Sequence, residues 1–190
     1  MLGIFFSIFI LFIFESCGNN LFRKKVAAPT PLETVEDVDI EKYSEDPWYE
    51  IYRYPNWFEP KDCTDVSATY SIKKNGRIKV VNKCIKKNRK EKVAIGEAKL
   101  QNENVKGKLK VSFVKFFGKN IFYGDYWIID LAEDYSWAIV SDEKRNYLWI
   151  LSKDPNISNK LNETLIHRIK QLGFKKEKLI KTLHTKKVIV

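Results

Sequence analysis

The chain has 190 residues, 44% hydrophobic and 31% charged, with a formal net charge of +10. That length suits one domain, and that balance allows a buried core with a surface soluble outside a membrane. Lys and Arg are scattered rather than clustered, which reads first as solvation, and no helix-turn-helix, zinc spacing or KH-type glycine loop accompanies them, so nucleic acid is not an expected partner.

The first stretch, MLGIFFSIFILFIFE, is apolar up to Glu15. It is shorter than the roughly 20 residues a membrane span needs and reads as a secretory signal over residues 1–16. Cys17 follows directly and resembles the cysteine that bacterial lipoprotein signals lipidate. The expected layout is a signal at 1–16, a lipidated N-terminus and tether at 17–37, and one domain at 38–190. Two prolines and few bulky residues suit a tether. The later VEDVDIEKY, residues 35–43, alternates weakly and is expected to pack against the body.

Next comes DPWYEIYRYPNWFEP (Asp46 to Pro60), with six aromatic rings among prolines and acids. From Pro47 onward a period of two dominates. VSATYSI sets Val66, Ala68, Tyr70 and Ile72 against Ser67, Thr69 and Ser71, and KGKLKVSFV sets Leu109, Val111 and Phe113 against Lys108, Lys110 and Ser112. Such alternation marks strands with one wet and one dry face. KNGR is a hairpin signal, and a three-residue loop at Asn75 to Arg77 places Ile72 opposite Val80 and Tyr70 opposite Asn82. About eight strands follow from this pattern, near 47–54, 63–73, 78–85, 91–100, 107–116, 121–132, 135–141 and 146–152. An open sheet of that size has two sticky edges, and closure into a barrel removes them.

SNKLNETLIHRIKQLG then carries a helical stripe of Leu161, Leu165, Ile169 and Leu172 with Gly173 as the stop. A short strand-like KLIKTL trails it. The predicted fold is therefore all-β, an eight-stranded antiparallel up-and-down β-barrel with one C-terminal α-helix packed outside. With Cys17 set aside, Cys63 and Cys84 form an even pair in an oxidising compartment and are expected to be bonded, although hairpin register puts Cys84 near Ala68. No metal-ligand cluster and no cofactor motif is present in the sequence, and the two histidines, His167 and His184, stand near no nucleophile, so no catalytic residues are assigned.

Three stretches resemble the lipocalin family, in particular the bacterial outer-membrane lipoprotein lipocalins, related to apolipoprotein D. DPWYEIYRYPNWFE is similar to the family's Gly-x-Trp-Tyr-Glu-Ile opening strand, GDYWIIDLAEDYSWAIV to its second motif, and NYLWILSKDP to its last strand and exit turn. VSATYSIKKNGRIKVVNKC also looks like this subgroup. Asp46 replaces the family's glycine, and Lys153 its arginine.

The resemblance implies a cup open at one end, with Trp48 and Lys153 as its floor. Parity and resemblance together make Tyr70, Asn82, Phe113, Tyr126, Ile128, Trp137 and Trp149 the expected wall, with Trp57 and Phe58 in a mouth loop. The expected ligand is a small amphiphilic lipid such as a fatty acid or lysophospholipid, held for membrane-lipid storage, transport or maintenance. Further implications are attachment to the outer membrane facing the periplasm and room for a homodimer. An alternative keeps the fold but makes it an enzyme acting on an isoprenoid or carotenoid, with Asp130 and Glu97 as acids. Another has a filled barrel that docks a partner.

Overall fold

The structure, a computed structural model, describes residues 30–185. The predicted signal, Cys17 and the last five residues lie outside this range.

VEDVDIEKY contains a short helix, α1 (Ile40–Ser44), whose N-cap Asp39 accepts a hydrogen bond from the Lys42 amide at 3.1 Å. The strands are β1 (Trp48–Arg53), β2 (Thr64–Ile72), β3 (Ile78–Ile85), β4 (Glu91–Leu100), β5 (Lys108–Ser112), β6 (Val114–Phe116), β7 (Lys119–Ile121), β8 (Gly124–Leu131), β9 (Trp137–Ser141) and β10 (Leu148–Ser152). After α2 (Asn159–Gln171) and a 3-10 turn comes β11 (Ile180–Lys181). Every pairing is antiparallel, in the order β10-β9-β8-β5-β4-β3-β2-β1, and β1 pairs again with β10. The eight-stranded barrel is closed, which satisfies the edges that an open sheet would leave unpaired.

One detail differs from the predicted strands, and the strand-like KLIKTL joins the barrel as β11. The stretch predicted at 107–116 breaks at Phe113, and beyond the break β6 and β7 form a separate two-stranded hairpin. β11 pairs with β1 through Tyr52↔Lys181 and Arg53↔Ile180, above the two pairs that join β1 to β2.

The first hairpin keeps the predicted facing but its loop sits one residue earlier, a two-residue change in register, so that Tyr70 lies opposite Val80 and Ala68 opposite Asn82. The loop is Lys74 to Gly76, and Gly76 takes the left-handed φ of 74° at its last position, where only glycine is free of a Cβ penalty. A second shift, between Thr64 and Ser67, follows the positive φ of Asp65. Together these bring Cys84 three residues nearer Cys63 than the predicted register, and the two are joined in a disulfide.

Apolar side chains occupy both faces of part of the barrel. In β9, Ala138 and Val140 point inward while Trp137 and Ile139 point outward. The outward set is covered by α2, whose Leu165 and Ile169 are fully buried. Ser158 caps this helix, accepting from the Leu161 amide at 3.2 Å, and Gly173 ends it at φ 85°. Truncating either buried residue to Ala costs about 2–5 kcal/mol. A bulge in β1 between Glu50 and Tyr52 lets Ile51 and Tyr52 both face the helix layer.

Because the strands run up and down, the β1–β2, β3–β4, β5–β8 and β9–β10 connections share one end. The other end is crossed by residues 35–44. There the Val35 amide donates to the Ile128 carbonyl at 2.9 Å, and a Cβ on Gly107 would collide with the Val35 carbonyl. Leu32 is buried, so the body begins upstream of the expected boundary at Val38.

Candidate functional site: a one-ended cup

Trp48 is the centre of the closed end. It is fully buried, its Nε1 donates to the Tyr43 carbonyl at 2.8 Å, and the Lys153 ammonium lies 4.2 Å from its ring centroid. Lys153 also donates to the Asp46 carbonyl at 2.7 Å. Lysine thus covers the ring electrostatically, without the planar stacking that arginine offers.

Above this floor is a tier of phenols. The Tyr126 hydroxyl is 2.9 Å from that of Tyr43 and 2.8 Å from that of Tyr70. Burial raises the pKa of all three well above that of a free tyrosine, so they stay neutral. The space enclosed among Tyr43, Tyr70, Tyr126, Val80, Leu109 and Ile128 is about 10 Å³, enough for one water. The deep end is packed.

Nearer the mouth the wall is thinner in side chains. β4 presents Ala94 and Gly96 inward, beside Ala68 and Asn82 of the neighbouring strands, while its Ala98 is buried at the deep end. Asn82 and Trp149 are half-buried and Phe113 is 39% exposed, so solvent reaches this tier. Gly96 is needed because a Cβ there would stand 2.5 Å from the Ser112 carbonyl oxygen and 2.7 Å from the Phe113 ring. The Asn82 side-chain oxygen is buried and has no hydrogen-bond partner. A buried acceptor left unpaired costs about 1–3 kcal/mol.

The wall also carries charge. Glu50 and Arg53 pair with Leu151 and Trp149 of β10, so both side chains face the cup. Arg53 Nε lies 2.8 Å from Glu59 of the mouth loop and 3.4 Å from Glu50. The Thr182 hydroxyl donates to Glu50. Burial, then the Glu59 carboxylate, push the Glu50 carboxyl up to about 8 against the opposing pull of Thr182 and Arg53. With Glu50 protonated, one arginine faces one carboxylate and the cluster is neutral, as burial demands.

Of the expected wall, Tyr70, Asn82, Phe113, Tyr126 and Trp149 face inward. Ile128 does too, but at the deep end with no exposure. Trp137 does not: β9 parity turns it outward, under the Arg168 guanidinium at 5.0 Å. Phe58 reaches over the mouth to within 6.2 Å of Trp149, whereas Trp57 points to solvent. The two candidate acids fail as interior groups. Glu97 lies outside, bonded to Lys73, Arg77 and Tyr123, and Asp130 pairs with Arg168 of α2 at 2.8 Å.

Tyr43, Glu50, Arg53, Glu59 and Thr182 carry no expectation from the sequence alone. Glu50 and Arg53 are three apart, and only the bulge sets them on one face. Thr182 arrives from the far end of the chain, and no local signal announces it.

A closed antiparallel barrel, floored at one end and open at the other, with an outer helix, defines the class of cup-shaped binding proteins. The chain belongs to the lipocalin family: residues 38–184 match its lipocalin-like domain. It is 35% identical over 170 residues to the outer membrane lipoprotein Blc of Vibrio cholerae, covering 88% of this chain and 95% of that protein. It is 36% identical over 146 residues to apolipoprotein D of Rattus norvegicus, covering 73% and 71%. Among solved structures, insecticyanin from the tobacco hornworm Manduca sexta superposes with a TM-score of 0.64 at 18% identity, covering 80% of this chain and 83% of that one.

Proposed function

We propose that this lipocalin binds a single-chain amphiphile, a fatty acid or lysophospholipid, for storage, transport or maintenance of membrane lipid. It does so from a lipid anchor at Cys17 on the outer membrane, facing the periplasm. The observation that supports it best is the mouth-side tier itself: an apolar, solvent-reached wall holding one unpaired amide oxygen at Asn82. An acyl chain leaving water for that wall gains about 0.8 kcal/mol per buried methylene. A ligand hydroxyl can donate to Asn82. The packed phenol tier stops the chain short of the floor. The name of the Vibrio cholerae relative, an outer membrane lipoprotein, supports the proposed location.

Lysophospholipid titration followed by tryptophan emission tests the reading. Saturable quenching is expected, and Trp149→Ala should lose most of it. Mass spectrometry of lipids extracted from native protein should find one amphiphile at near-stoichiometric yield. A barrel that copurifies with nothing and shows no saturable change overturns the proposal.

A further inference from the structure

Three aromatic rings on connections at the open end are left uncovered by the fold. Trp57 is 87% exposed, Phe117 89% and Phe122 82%. They come from two different connections, β1–β2 and β5–β8, that share the open end. Phe117 and Phe122 hold positive φ values of 46° and 54°, an unfavourable backbone state for a bulky residue. Single exposed rings are ordinary, but several on connections that share one end point to a contact surface.

Charge picks the kind of surface. The β3–β4 turn beside this rim reads KKNRK, four bases and no acid, and the FVKFFGKNIF stretch adds two bases and no acid. The floor strap has the opposite sign, with six acids and one base between Glu36 and Asp46. The molecule is thus polarised, basic at the mouth and acidic at the floor. Rings flanked by lysines suit the interface of an anionic bilayer, where amphipathic rings settle among headgroups and each base near the surface adds attraction.

The chain's path agrees. Thr30, the first described residue, accepts from Arg145 Nη2 at 3.0 Å, and Arg145 sits in the β9–β10 turn at the mouth. Cys17 lies thirteen positions before Thr30 in the sequence.

We infer that the open end docks on an anionic lipid bilayer, with Trp57, Phe117 and Phe122 in the headgroup layer and the neighbouring lysines on its phosphates. The cup then opens onto the membrane instead of into water. The rim and its charge stand apart from what the cup binds; only the contribution of the anchor rests on the lipidation proposed above.

The full chain reconstituted in vesicles of phosphatidylethanolamine with a minority of phosphatidylglycerol provides the test. Trp57 emission, isolated by difference from Trp57→Phe, should be quenched several-fold by lipids nitroxide-labelled near the headgroup and shielded from iodide. Phe117→Ser with Phe122→Ser should abolish most of that quenching while lysophospholipid binding by Trp149 persists. The inference is overturned if Trp57 stays as open to iodide on vesicles as in detergent. It is equally overturned if the shielding appears without lipid as the protein dimerises, since a second copy would then be the occupant. Loss of lysophospholipid binding with docking intact would sink the cup reading alone.

Discussion

Lys153 stands over the face of Trp48, its Nζ 4.2 Å from the ring centroid, and ties the exit of β10 to the approach of β1 through the Asp46 carbonyl. Burial lowers the ammonium's pKa, with Asp46 and Glu45 opposing. Lys153→Met should cost about 1–2 kcal/mol in urea unfolding by removing both contacts. Lys153→Arg should hold or raise stability, because a guanidinium can stack on the indole. An unchanged midpoint in the Met variant would show that the lysine contributes nothing to the floor.

Two carboxylates should tilt the pH profile of stability in opposite directions. Glu50, raised from 4.5 to about 8, keeps its proton in the folded state while the unfolded chain ionises. Its contribution therefore declines as pH rises from about 4.5 through 8, and Glu50→Gln should flatten that limb. Glu97 is lowered to about 2, first by the hydrogen bond from Lys73. Its contribution is present above about 4.5 and is lost as pH falls toward 2, and Glu97→Gln should remove this acid-side loss. Denaturant midpoints across the range check both signs.

The Cys63–Cys84 bond closes a loop with a sequence separation of 21. By loop-closure entropy it constrains the unfolded chain by about 3 kcal/mol. The double variant Cys63→Ala with Cys84→Ala should fall in stability by that order and unfold at lower urea with an increased m-value.

Asn82 should separate stability from binding. Replacing the amide by Leu removes an unpaired buried oxygen, so Asn82→Leu should raise stability by about 1 kcal/mol. The same change should weaken hydroxyl-bearing amphiphiles more than plain hydrocarbons of equal length, measured by competitive displacement. Equal weakening of both would show that the amide does not read a ligand.

Strands were the most readable part of the chain because period two survives wherever one face is wet. The β2 and β3 inner faces follow parity from Ala68 to Asn82. Parity alone became ambiguous where both faces are apolar. In β9, Trp137 could face either layer, and α2, more than 20 residues downstream, decides it. The register of the first hairpin differs by two residues because the loop ends on Gly76, a change that parity cannot see since it leaves every side chain on the same face. Glu50 and Arg53 were hidden by a bulge, whose extra residue breaks the very alternation used to find strands. Tyr43 was hidden in a segment too short to show a helical period.

β11 has a consequence for the order of assembly. The Thr182 amide donates to the Ile51 carbonyl at 3.0 Å, and the Asp65 amide to the Leu183 carbonyl at 2.8 Å, so these residues bridge the place where β1 and β2 part. The first strand is completed by residues more than a hundred positions later in the chain. On a ribosome working from one end, the wall must wait unfinished until those residues arrive, which ties this protein's folding to contacts of very long range and to the slower end of the kinetic scale.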